Sequence, residues 1–303
     1  MSSLPVVWAP EYEVDIGPHV FPTSKYRLVR RRLLDESALR EAQFHRPAPA
    51  TRDELLRVHG SGYLDRALKG ALTRREERLL ELPFSPALLE ASLLCCGGTL
   101  LAGRMALEAG VAVHLGGGFH HAFPDHGEGF CLLNDVAVAA AGLRAEGRVR
   151  RVAVVDLDVH QGNGTAAIFR SEPEVYTFSM HQEGNYPFPK PASDLDVGLP
   201  DGIEDERYHE ILDESLHRVV DEGRPEVAVY LAGADPYESD QLGGLALSLD
   251  GLALRDRRVL ERFGKEGIPV AVVLAGGYAR CLADTVEIHC NTVREAARFL
   301  EGC

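Results

Sequence analysis

Cysteine is sparse and unpatterned in this chain: Cys95, Cys96, Cys131, Cys281, Cys290 and Cys303 form no CxxC pair and no regular framework. That excludes a disulfide-stapled scaffold and suits thiols that pack in a reducing compartment. Basic charge is also scarce. Lysine occurs at four positions, and 46 acidic against 32 basic residues leave a net charge of -14. Phosphate binding needs a basic patch, so nucleic acid is not the expected partner. The one locally basic stretch, RLVRRRLL around Arg30, carries Leu28, Val29, Leu33 and Leu34 at helical spacing and reads as a solvated helix face. No run approaches the roughly 18 apolar residues that a spanning helix needs. The opening MSSLPVVWAPEYEVD lacks the basic and apolar regions of a secretory signal. A cytoplasmic protein without membrane attachment is the expectation.

What the chain does contain is enough apolar material, 45% of residues, for a substantial core. Five short runs begin at Val111, Val152, Val175, Val227 and Val270, each rich in β-branched residues and each ending in glycine or a polar group. Such runs read as buried parallel strands. Between them lie helical patterns over 134–146 and 204–222, and the N-terminal part adds helices near 51–59 and 86–109. Thr51 with Glu54 fits a capping box, and Ser85 before Pro86 fits an N-cap with proline at the first helical position. With no linker or low-complexity segment, the pattern predicts one domain over 1–303: a three-layer α/β/α fold around a mostly parallel sheet.

In such sheets the chemistry gathers at the carboxyl ends of the strands. The second run reads VAVVDLDVHQGNG, so Asp156, Asp158 and His160, two residues apart, project from one face of a strand end. Asp158, His160 and the Asp235 that closes GAD offer one imidazole and two carboxylates, which balance a divalent ion and leave positions open for water and substrate. Asp156 orients a neighbouring histidine, helps bind a monovalent cation, or satisfies the turn's backbone. His120 and His121 follow three glycines in GGGFHHA and can serve as base and acid. Tyr278 in AGGYA can donate its hydroxyl to a developing oxyanion. Cys131 is expected to pack rather than attack. His114 reads as buried, and His19, His45, His59, His126, His181, His209, His217 and His289 lack metal spacing and read as structural.

Taken together, GGGFHHA, GFCLLNDVAVA from Gly129, DLDVHQGNGT from Asp156, GAD ending at Asp235 and AGGYA resemble the zinc-dependent histone deacetylase family of the arginase/deacetylase superfamily. FPTSKYRL and the stretch from HQEGNYPFP to SDLDVGLPDGIEDERY are most similar to its class IV branch and bacterial relatives. The resemblance implies zinc held by Asp158, His160 and Asp235, His121 as general base and acid, and His120 as an electrostatic partner oriented by Asp156. It implies Tyr278 as the transition-state donor and an acyl-lysine tunnel at Gly129 and Phe130, with Tyr186 or Phe188 as the opposite wall. It also implies a potassium ion at Asp156, the Ser179 hydroxyl and neighbouring carbonyls, with Asp158, His160 and Met180 around it. Many members carry aspartate where Asn163 stands. A neutral amide orients His121 without stabilising its imidazolium, so Asn163→Asp is expected to make His121 more basic. The implied substrate is acylated lysine in proteins or peptides, or a small acylated amine such as an acetylated polyamine. An arginase-type ureohydrolase would need a second ligand set that GADPYESD lacks, and a silent acyl-lysine-binding module would not need the intact catalytic set.

Overall fold

A computed structural model of the chain describes residues 3–302; Cys303 lies outside the described residues. Among these, eight strands form one sheet: β1 (Val6–Val7), β2 (Phe44–His45), β3 (Val111–His114), β4 (Val152–Asp156), β5 (Val175–Gln182), β6 (Leu195–Leu199), β7 (Val227–Leu231) and β8 (Val270–Val273). Their spatial order is β2-β1-β3-β8-β7-β4-β5-β6, and every pairing is parallel. The sheet is therefore wholly rather than mostly parallel. The five runs that begin at Val111, Val152, Val175, Val227 and Val270 become β3, β4, β5, β7 and β8, and they sit side by side at its centre. β3, β4, β7 and β8 are buried at every residue, as a strand covered on both faces requires.

The helices, in chain order, are α1 (Lys25–Asp35), α2 (Arg52–Leu55), α3 (Ser61–Leu68), α4 (Arg74–Leu80), α5 (Pro86–Ala109), α6 (Asp135–Ala145), α7 (Asn163–Phe169), α8 (Asp205–Gly223), α9 (Leu249–Lys265) and α10 (Leu282–Gly302). α5, α6 and α7 cover one face of the sheet; α8, α9, α10 and, outside α10, α1 cover the other. α5 is long and apolar enough to cross a membrane by length and composition alone, with a mean hydropathy of 1.4, which corrects the expectation that no stretch approaches that length. Here it lies against the sheet, with Ala102 and Ala106 packed on Val7, Ala112 and Ala271.

Local chemistry sets the ends of these elements. Ser85 accepts from the Leu88 amide and Pro86 opens α5; Asn134 caps α6 through the Ala137 amide at 2.9 Å. The capping box at Thr51 and Glu54 is present, yet α2 stops at Leu55 instead of running to residue 59. The reason is tertiary. His59 bonds the Phe123 carbonyl at 3.0 Å, and the Gly60 amide donates to Pro124 at 2.7 Å, which draws the chain out of the helix and makes Gly60 the cap of α3.

Two buried histidines tie this scaffold to pH. His59 accepts from the Asn134 amide at Nε2, and burial pushes it down to about 4 despite the Phe123 carbonyl. Burial pushes His114, bonded to Thr99 and Tyr12, down to about 3. Both values lie below the ordinary one. The stability each histidine supplies is therefore complete above about pH 6.5 and is lost as pH falls toward the folded value, at about 1.4 kcal/mol per unit for each. Urea midpoints measured between pH 7.5 and 4.5 should fall accordingly. A His59→Gln variant should show a shallower dependence, and an unchanged slope would refute the assignment.

Candidate active site

The five central strands deliver their loops to one rim. After β3 the chain turns through Gly117 and Gly118, both at positive φ (72° and 87°), a conformation that side chains rarely adopt. A Cβ on Gly118 would stand 2.5 Å from Ala275, so this loop and the one after β8 approach each other through glycine. Asp135 accepts from the Gly118 amide at 3.0 Å and the Phe119 amide at 2.7 Å, and Asn134 donates to the carbonyls of His120 and Ala122. The Asn-Asp pair of GFCLLND is thus the clamp that holds the histidine loop.

Asp158 and His160 follow β4, and Asp235 follows β7. Their donor atoms converge within 4.8 Å, and all three residues are buried. His160 Nδ1 lies 3.0 Å from Asp158 Oδ1 and 3.4 Å from Asp235 Oδ2. Asp158 Oδ2 accepts from the Gly276 amide at 2.9 Å and Asp235 Oδ1 from the Val159 amide at 2.9 Å. Asp235 Oδ2, in contrast, is buried with no hydrogen-bond partner among the described residues. A buried carboxylate oxygen without a hydrogen-bond partner, beside two further donor atoms, is suited to hold a cation, because a buried charge is otherwise costly. Burial and Asp158 push Asp235 up to about 7, whereas at His160 the two carboxylates outweigh burial and lift it to about 10. A divalent ion would displace the protons that such a cluster retains. Gly276 keeps the space clear: a Cβ there would lie 2.1 Å from Asp235 Oδ2.

His120 and His121 divide by partner. His120 Nδ1 sits 2.6 Å from Asp156 Oδ2; burial opposes its charge, but Asp156 and Asp158 prevail and raise it to about 9. Burial and the neighbouring charges of His120 and His160 instead hold His121 well below its ordinary value, and its Nδ1 meets Asn163 Oδ1 at 2.7 Å. One histidine is held charged and the next neutral. Tyr278 lies under Phe130, and burial followed by the carboxylates keeps its phenol protonated far above the ordinary range. Its backbone is fixed by Asp240, which accepts from the Tyr278 amide at 2.7 Å. Asp156 faces Ser179 across β4 and β5, and Met180 follows in β5; the Ser179 hydroxyl is engaged by His181 at 3.0 Å.

Above this chamber lies a cavity of about 240 Å³ lined by Gly129, Phe130, Tyr186, Tyr278, His121 and His160, together with Glu81, Asn185 and Leu242. Phe188 does not line it. That side chain is 72% exposed and lies against Lys190, so of the two aromatics Tyr186 is the one in the cavity wall. Cys131 is buried and burial raises its thiol well above the ordinary value, which leaves it no nucleophilic character. Cys95, Cys96 and Cys290 are also buried, and Cys281 is exposed.

Besides Asp135 and Asp240, sequence reasoning passes over the charged groups Lys25 and Glu128 at the site. Lys25 is fully buried on α1, and its Nζ donates to the Ala275 carbonyl at 2.7 Å. The signal was present: Lys25, Val29 and Leu33 stand four apart on the buried stripe of that helix. Glu128 accepts from Asn163 and Tyr186, and no spacing rule marks it.

Fold and site together define a hydrolase built on the arginase/deacetylase α/β fold. The chain belongs to the histone deacetylase family: the model of the histone deacetylase domain matches residues 19–293. It is 31% identical to histone deacetylase 2 of Arabidopsis thaliana, over 95% of this chain and 79% of that protein. It is 42% identical to an uncharacterised protein of Picosynechococcus sp., over 97% of this chain and 98% of the relative. A solved histone deacetylase homologue, crystallised with SAHA, superposes with a TM-score of 0.84 at 25% identity, covering 99% of this chain and 89% of its own.

Proposed function

We propose that this chain is a zinc-dependent hydrolase that cleaves the amide of acylated lysine. The observation that carries the reading is the aromatic-walled cavity whose lining includes His121 and His160, so that it leads onto the cluster of Asp158, His160 and Asp235. A cavity walled by Phe130, Tyr186 and Tyr278 that reaches His160 suits a long aliphatic stem with an amide at its tip. The three ligands would hold zinc, which when bound supplies a Lewis acid for the acyl carbonyl and acidifies its water. His121, neutral and with Nδ1 engaged by Asn163, takes the proton of the attacking water at Nε2 and returns it to the departing amine. Tyr278 donates its phenol to the oxyanion, and His120, charged against Asp156, adds positive charge beside it. The same reading puts a structural potassium ion at Asp156, Asp158, His160, Ser179 and Met180.

The test is a panel of acyl-lysine peptides of varied chain length beside acetylated polyamines, each with and without chelator. Hydrolysis of the peptides that chelation abolishes and zinc restores is the expected result. Inactivity on every acyl-lysine would overturn the reading. Hydrolysis confined to the polyamines would favour a small-molecule amidohydrolase, the reading that Glu81 at the cavity edge supports.

Lys25 supplies a sharper check on the metal. The peptide between Ala275 and Gly276 receives Lys25 at its carbonyl and gives its amide to Asp158 Oδ2. Lys25→Met removes the first bond but also removes a buried charge, so the two effects on stability largely cancel. Thermal stability should stay within about 5 °C of wild type, while zinc affinity, read by chelator competition, falls about 10–100-fold. Unchanged affinity would show that the clamp does not act on Asp158.

A further inference from the structure

Asn163 has two faces, and each is occupied. Its Oδ1 lies 2.7 Å from His121 Nδ1, and its Nδ2 donates to Glu128 Oε1 at 2.7 Å. Glu128 also accepts from the Tyr186 hydroxyl at 2.6 Å on the same oxygen and meets His126 Nε2 at 3.3 Å on the other. Burial opposes its charge, yet His126, Tyr186 and Asn163 outweigh burial and hold the carboxyl below its ordinary value. Glu128 is therefore an anion, and an anion accepts hydrogen bonds without donating them.

That one-way chemistry fixes the direction of the amide. With Nδ2 taken by a carboxylate, Asn163 must turn Oδ1 toward His121. The Gly164 amide, which donates to Oδ1 at 3.0 Å, adds a weaker bias toward the same orientation. An amide oxygen can only accept, so His121 Nδ1 carries the hydrogen and Nε2 keeps its lone pair. A flipped amide would face its NH2 to Nδ1 and favour the opposite tautomer, with Nε2 protonated and useless as a base. In the flipped state Oδ1 would also face the carboxylate, a contact between two acceptors.

We propose that Glu128 is a positioning residue that acts through Asn163 to hold His121 in the tautomer whose Nε2 can take a proton, while its bond to Tyr186 fixes the channel wall beside the same ring. Tyr186 packs edge-on to His121 with centroids 5.0 Å apart, so one carboxylate sets both the base and the surface next to it. Gly129 makes the arrangement possible, since a Cβ there would stand 2.9 Å from the His121 ring and 3.0 Å from the Tyr186 hydroxyl. The effect on turnover rests on His121 being the base of the proposed hydrolysis; the tautomer itself does not. An aspartate at 163 would set two carboxylates at hydrogen-bond distance, so the rise in His121 basicity expected of Asn163→Asp would come together with repulsion from Glu128.

The experiment reads the tautomer by 15N NMR of the His121 imidazole in the zinc-loaded protein and, separately, kcat and KM on an acetyl-lysine peptide. Wild type should show one tautomer with hydrogen on Nδ1. Glu128→Leu should give a mixture and lower kcat about 10–100-fold, whereas Glu128→Gln, which keeps an acceptor oxygen for Asn163, should retain the wild-type tautomer. Asn163→Asp should lower kcat in the wild-type background and raise it in Glu128→Leu, where either oxygen of the new carboxylate accepts from His121 Nδ1 without needing to be oriented. A single Nδ1–H tautomer in Glu128→Leu, or an Asn163→Asp effect of the same sign in both backgrounds, overturns the proposal. A wild-type tautomer as predicted but without hydrolysis of any peptide would overturn the functional reading and leave this assignment standing.

Discussion

Replacing His121 with alanine should lower kcat about 10²–10⁴-fold while changing KM little. That range is what a positioned general base contributes, and the substitution removes the base and the acid of the proposed cycle at once. His121 is suited to the role by its surroundings. Burial and the charge of His120 keep it neutral, and Asn163 occupies Nδ1, so Nε2 is the atom left for the chamber. Tyr278→Phe should also reduce kcat more than binding, because the ring that packs against Phe130 remains and only the donor to the oxyanion is lost. The two variants differ in one respect. Alanine at 121 also leaves Asn163 Oδ1 without its imidazole partner, so its thermal stability should fall with its turnover, whereas the phenylalanine variant should melt close to wild type. Near wild-type turnover in His121→Ala, at any pH from 6 to 9, would remove this residue from the mechanism.

The central sheet was legible because its strands obey a simple rule: strands buried on both faces are apolar along their length, with polar groups such as His114 and Asp156 only at their ends. Valine and alanine dominate β3, β4, β7 and β8, and glycine marks the turns that follow. The rule fails at the edges. β1 and β2 are two residues each, too short for any period, and β6 has exposed and half-buried residues between its buried ends. Motif residues were legible for a related reason, since the chain need only reach the end of a strand to place them. Their partners were not, because Glu128 meets Asn163, and Lys25 meets Ala275, across separations in sequence that no spacing can reveal. Phe188 shows the converse. It sits two residues beyond Tyr186 in a tyrosine-proline-phenylalanine-proline segment with the look of a channel wall, yet it faces solvent against Lys190. An aromatic in a loop gains its direction from the backbone, and that direction is tertiary information.

Asp235→Asn should separate what this residue does for the fold from what it does for the metal. The side chain is fully buried; Oδ1 takes the Val159 amide at 2.9 Å, and Oδ2 has no hydrogen-bond partner among the described residues. An asparagine can keep the first bond through its own oxygen. What it removes is a negative charge that burial and Asp158 oppose and that His160, 3.4 Å away, favours. Without metal the two effects offset, so the variant should melt close to wild type, which is unusual for a substitution at a fully buried polar position. With metal the two proteins separate. Zinc at about 1,000 times its Kd stabilises wild type by about 4 kcal/mol through mass action, and that gain should largely vanish in the variant, together with hydrolysis. Melting curves with and without zinc settle both halves. If the variant kept the full zinc-dependent rise, Asp235 would not be a ligand; if it melted far below metal-free wild type, its carboxylate would serve the fold. With Asp235 as a ligand, the oxygen without a hydrogen-bond partner would be a functional strain, tolerated by the scaffold because a bound ion relieves it.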